Sequence, residues 1–187
     1  MYWVFDSLDT SLEMKKDDGQ YYLSEENKAD QYKNMSPEGK PKDAYGFFPF
    51  NGSATGNVCT YNYGFGTRLD IPFNLTSDGK IADKYGDKQD IVFEFSGDDD
   101  VWVFIDGVLV LDIGGSHGRV EGSINFATMT STVSGVKSSG GNHNPKDADT
   151  SKSGYQTKFE LPKGMTEEHT LTMFYMERGM WESNMSI

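Results

Sequence analysis

A single cysteine, Cys59, stands in the 187 residues, so no internal disulfide can form. Small secreted eukaryotic domains usually carry several such bridges, and their absence points to an exported bacterial protein or a cytosolic one. Cys59 itself, in Val58-Cys59-Thr60-Tyr61, reads as a core thiol. No apolar run of membrane-spanning length, secretory leader or lipidation signal is readable, which argues against membrane insertion. Basic residues are outnumbered 17 to 29, for a net charge of −12. A field of that sign repels phosphate backbones and anionic lipid, so nucleic acid is a poor partner, and it attracts cations. Long helical periodicity is missing too. No stretch beyond about a dozen residues repeats every 3.6, which disfavours parallel βαβ architectures.

Aromatics and glycine are plentiful. Phe, Trp and Tyr make up 13% of the chain, and there are 21 glycines against six prolines. Aromatic rings pack well on pleated sheets, and glycines serve the tight turns between short strands. Strand-like runs recur at Tyr2–Phe5, Gly64–Leu75, Asp90–Phe95, Val101–Ile105, Val108–Asp112, Val120–Phe126, Tyr155–Leu161 and His169–Met176. Asp106-Gly107 between two β-branched runs is the strongest hairpin signal. A short helix is expected near Glu25–Lys33, and 134–154 reads as one long loop. These runs predict an all-β chain, an antiparallel β-sandwich or barrel with long loops. Residues 1–187 form one domain, and the opening at Met1 into strand-like residues is expected of a piece excised from a larger surface protein.

Ser96-Gly97-Asp98-Asp99-Asp100 joins two of these strands. Three adjacent carboxylates repel one another, and a divalent cation among their oxygens relieves the repulsion. Calcium, with six to eight oxygen ligands, suits such a set, while a solvated acidic turn is the plain alternative. Four Asn-x-Ser/Thr triplets, at Asn34, Asn51, Asn74 and Asn184, carry no further message in a bacterial protein.

The run Gly97-Asp98-Asp99-Asp100-Val101-Trp102-Val103-Phe104-Ile105-Asp106-Gly107, continuing to Leu111-Asp112-Ile113-Gly114-Gly115-Ser116-His117-Gly118, resembles the fibro-slime branch of the PA14 superfamily. Phe47-Phe48-Pro49-Phe50, Tyr63-Gly64-Phe65-Gly66, Phe93-Glu94-Phe95-Ser96-Gly97 and Phe174-Tyr175-Met176-Glu177-Arg178-Gly179 extend the likeness over roughly the whole chain. The resemblance implies a PA14-type β-sandwich. It also implies that Asp98 and Asp99 hold Ca2+, often across a cis peptide in relatives, and that the ion contacts sugar hydroxyls directly. Asp100, where many relatives have Gly, is either a further metal ligand or solvent-facing. Asn184, after Trp181-Glu182-Ser183, is the best match to the Asn that relatives supply from a later loop.

Around that ion, Trp181 stacks on a sugar face or packs in the core, Glu182 joins the ligand-binding loop, and His117 is a loop histidine or a ligand. Glu177 with Arg178 is expected as a structural ion pair or turn cap, and Trp102 as a core residue. The expected function is calcium-dependent binding of a carbohydrate or other surface ligand, in the manner of an adhesin or lectin. A calcium-stiffened spacer of a large cell-surface protein is the alternative. An enzyme is not expected: adjacent aspartates on one loop do not flank a scissile bond as glycosidase carboxylates do, and no nucleophile elbow or zinc motif is present. The expected setting is a secreted, extracellular module at a bacterial cell surface, monomeric, with a glycan partner.

Overall fold

A computed structural model describes residues 15–17, 20–22, 64–97, 99–115, 120–135, 155–177 and 185–186. Thirteen strands lie among them, every pairing is antiparallel, and no helix occurs. They are β1 (Lys15–Asp17), β2 (Gln20–Tyr22), β3 (Phe65–Asn74), β4 (Lys80–Ala82), β5 (Lys88–Asp90), β6 (Val92–Gly97), β7 (Asp100–Ile105), β8 (Val108–Ile113), β9 (Val120–Asn125), β10 (Thr130–Gly135), β11 (Tyr155–Lys158), β12 (Glu168–Glu177) and β13 (Met185–Ser186). One sheet runs β3-β12-β7-β8, and a second runs β11-β10-β9-β6-β13. Two small hairpins, β1-β2 and β4-β5, complete the list. The architecture is the all-β antiparallel sandwich expected from the sequence. The helix expected at 25–33, together with Cys59, falls outside the described residues.

Period-two alternation sorts side chains between the core and the outer faces. On β7, Val101, Val103 and Ile105 are fully buried. Leu171, Met173 and Tyr175 of β12 face the same way, against Phe95, Val120 and Ile124 of the second sheet in one core cluster. Each fully buried aliphatic side chain contributes about 1.5–3 kcal/mol of transfer free energy. The intervening β7 residues, Trp102 and Phe104, therefore lie on the outer face and are half-buried. That corrects the expectation of Trp102 as a core residue: its β-branched neighbours take the inward positions.

The β7–β8 turn has positive φ at both central residues, Asp106 (48°) and Gly107 (86°), as the Asp-Gly pair predicts. Asp106 also ties this turn to β12. Its backbone amide donates to the Thr170 carbonyl (2.9 Å), and its carboxylate accepts from the Thr170 amide (2.9 Å) and bonds His169 Nδ1 (2.7 Å). Lys163 Nζ lies 3.1 Å from the same carboxylate. Burial alone would raise the Asp106 pKa, but the bonds from His169, the Thr170 amide and Lys163 hold it below the ordinary carboxylate value.

Two stretches differ from expectation. The run from Asp90 to Phe95 breaks at Ile91, whose amide donates to the Gly79 carbonyl and whose carbonyl accepts from the Phe126 amide. Residues 130–135, mostly polar in sequence and partly assigned to the loop expected at 134–154, form β10, between β11 and β9 in the second sheet. The buried Ser131 hydroxyl there donates to the Val110 carbonyl of β8, joining the two sheets by a hydrogen bond.

Candidate functional site

The candidate site lies where β6 passes into β7, through residues 96–100. Asp99 is 8% exposed, Asp100 5% and Glu177, the last residue of β12, 2%. Carboxylates at that depth are uncommon without partners or a metal. The Tyr175 hydroxyl lies 2.7 Å from Asp99 Oδ2 and 3.2 Å from Glu177 Oε2. A phenol has one proton to donate, so the Tyr175 hydroxyl bridges two acidic side chains. The ring of Tyr175 is fixed by complete burial and by Phe65, whose centroid is 6.1 Å away.

Asp99 and Asp100 serve opposite sides of the four-stranded sheet. Asp99 meets the inward Tyr175, whereas Asp100 shares the parity of Trp102 and accepts from the Gly115 amide at 2.9 Å. Gly115 has φ 113°, a conformation that suits glycine. This bond couples the β6–β7 connection to the loop after β8. Asp100 is thus neither solvent-facing nor aimed beside Asp99.

The terminal strand supplies the third part of the geometry. Met185 of β13 pairs with Gly97 of β6, and Ser186 with Ser96. The strand that begins one residue after position 184 is therefore hydrogen-bonded to the strand that ends one residue before position 98. Asp98, His117, Trp181, Glu182 and Asn184 themselves fall outside the described residues, as does the Asp98–Asp99 peptide expected to be cis. Among the described residues, every peptide bond is trans and no three His, Cys, Asp or Glu side chains are grouped to hold a metal ion. Asp99 and Glu177 offer the hard oxygens that calcium takes, but a full shell of six to eight would need donors from 98 or from 178–184.

Glu177 was expected as an ion-pair or turn-cap partner of Arg178, which lies outside the described residues; its place beside Tyr175 on the buried side is what sequence reasoning did not foresee. A signal was present. The inward positions of β12 run His169, Leu171, Met173, Tyr175 and Glu177, and extending the alternation by one step places Glu177 beside Tyr175 on the buried side.

No family model and no solved structure matches the chain. Curated relatives occur in Dictyostelium discoideum. The chain is 41% identical over 86 residues to the protein psiQ, covering 43% of this chain and 8% of psiQ. It is 57% identical over 42 residues to psiF, covering 22% of this chain and 6% of psiF. With psiD the identity is 35% over 94 residues, or 46% of this chain and 17% of psiD. The chain thus spans less than a fifth of the length of each of these relatives.

Proposed function

We propose that the chain is a calcium-dependent binding module of the PA14 type, fibro-slime branch, which presents the cation at the β6–β7 connection to a glycan or other surface ligand outside the cell. The observation that carries this reading is the convergence of Asp99 and Glu177 on one buried hydroxyl. That pair places hard carboxylate oxygens, of the kind calcium takes, at the connection where the acidic residues are concentrated. The pairing of β13 with β6 supports it further, because it sets Met185 opposite Gly97, the sequence neighbours of Asn184 and Asp98. Calcium held there by Asp98, Asp99 and Asn184 would coordinate ligand hydroxyls through its remaining positions. Trp181, Glu182 and His117 are the side chains proposed to contact that ligand.

A second reading has its own observation. Asp99 and Glu177 are nearly inaccessible, so a cation bound to those two alone would touch protein and no ligand. In that case the ion stiffens a spacer domain. Calorimetric titration of calcium into chelator-treated wild type and Asp99→Ala, followed by a glycan array with and without calcium, separates the readings. Saturable calcium binding that disappears in Asp99→Ala, with calcium-dependent glycan signals, is the expected result. Calcium binding with no glycan signal leaves the spacer. No calcium binding overturns both.

A further inference from the structure

The outer face of the four-stranded sheet carries a pattern that the cation site does not use. Strand register aligns Arg68, Phe174, Trp102 and Asp112 in one row across β3, β12, β7 and β8. The next row is Asp70, Thr172, Phe104 and Leu109. Each row spans three strand spacings, roughly 14 Å. Phe174, Met176 and Leu109 are exposed. Trp102 is seated against Gly114, where an added Cβ would lie 2.8 Å from the ring's Cζ2. Phe104 meets Phe174 edge-on at 5.8 Å, and the Arg68 guanidinium sits 5.9 Å over the Phe174 ring.

The polar groups at the margin are already oriented. Arg68 Nε and Nη2 donate to Asp70 Oδ1 at 3.2 and 3.1 Å, and the Thr172 hydroxyl donates to the same oxygen at 2.7 Å. These bonds, Thr172 foremost, hold the Asp70 carboxyl below its ordinary pKa, so it stays an anionic acceptor. At the opposite end, Asp112 Oδ1 accepts from the Gly114 amide at 2.9 Å.

We infer that this face is a second binding surface, distinct from the Asp99 site and independent of calcium, which takes a neutral, extended oligosaccharide. Apolar rings along the middle match the C–H faces of pyranose units. A paired guanidinium and carboxylate offer a donor and an acceptor side by side, as vicinal hydroxyls require, since each hydroxyl both donates and accepts. An apolar peptide would strip water from the remaining Arg68 N–H groups and the second Asp112 oxygen and offer them nothing in return, at a cost. A second copy of the chain or an acidic polysaccharide would bring like charge against a net charge of −12. A neutral glycan meets neither objection.

The test is calorimetric titration with neutral hexasaccharides of glucose, xylose, mannose and N-acetylglucosamine, each in chelator and again in calcium. Binding of at least one in chelator is expected. Phe174→Thr, which keeps strand propensity, and Arg68→Ala, on the edge strand, should each weaken it roughly three- to tenfold with the thermal midpoint retained. Absence of binding by every hexasaccharide up to about 1 mM overturns the inference. Binding that requires calcium and survives Phe174→Thr also overturns it, while leaving the calcium-dependent reading intact. So does sedimentation showing a wild-type dimer that Phe174→Thr converts to monomer, because a second copy would then occupy the face.

Discussion

Replacing Asp106 tests how the β7–β8 hairpin is fastened to β12. The Asp106 carboxylate bonds the His169 ring and the Thr170 amide, and Lys163 lies beside it. His169 is fully buried, and its Nε2 has no hydrogen-bond partner among the described residues. Asp106→Ala therefore leaves the imidazole without its Nδ1 partner as well, and strips an acceptor from the Thr170 amide. An orphaned buried polar group costs about 1–3 kcal/mol, and forcing Ala to a φ of 48° adds about 1 kcal/mol. With two groups orphaned, Asp106→Ala should thus lower stability by about 3 kcal/mol or more. Asp106→Asn tolerates the same φ and keeps one acceptor oxygen, so its loss should be only about 1–2 kcal/mol.

Urea denaturation reads both variants as a shift in midpoint at unchanged slope. Their difference should also depend on pH. The folded pKa of Asp106 lies below its unfolded value, so the unfolded chain binds the proton more tightly and the contribution is complete at neutral pH. It is lost as pH falls from about 4, the unfolded carboxylate value, through the lower folded one, and the gap between wild type and Asp106→Asn should close over that window. A loss below about 1 kcal/mol for Asp106→Ala would refute the argument. Equal losses for Ala and Asn would show that neither the turn conformation nor the retained acceptor matters.

Glu177→Gln keeps the shape of the side chain and one acceptor oxygen for the Tyr175 hydroxyl but removes a carboxylate from the candidate site. The same variant should lose the stabilisation that calcium gives wild type, and a calcium response equal to wild type would remove Glu177 from the site. Gly79→Ala should destabilise by more than about 2 kcal/mol, since the new Cβ would sit 2.5 Å from the Phe126 carbonyl oxygen at a φ of 64°; a midpoint within error of wild type would contradict that crowding. Gly114→Ala should cost about 1–3 kcal/mol and alter tryptophan fluorescence, because the Trp102 ring must leave its seat. An unchanged spectrum would place the ring elsewhere.

The strands legible in the sequence are those whose cause is local. The β-branched and aromatic run 101–105 and the alternation over 169–175 mark strands without reference to the rest of the chain, and Asp106-Gly107 meets the positive φ of its turn from its own chemistry. β10 was not legible, because Thr130–Gly135 is held by its neighbours β9 and β11 and by a Ser131 bond to the opposite sheet. The small β4–β5 hairpin was missed for a related reason: it is polar, and ion pairs such as Lys80–Asp90 and Lys88–Asp78 span it.

At the candidate site, the sequence by itself determined that acidic residues are concentrated between two strands, since Asp98-Asp99-Asp100 needs only to be read. It did not determine which way Trp102 and Phe104 face, because 101–105 is apolar at every position and only the shared core shows that Val101, Val103 and Ile105 point inward. What only the tertiary structure decided is which groups meet. Asp99 reaches the phenol of a residue 76 positions away, Asp100 is held by an amide 15 positions away, and Glu177 joins through the pairing of β12 with β7. The physical reason is one of range. Strand and turn preferences act between neighbours in the chain, whereas the register that aligns Arg68, Phe174, Trp102 and Asp112, or brings residue 185 to residue 97, exists only once distant strands share hydrogen bonds and a common core.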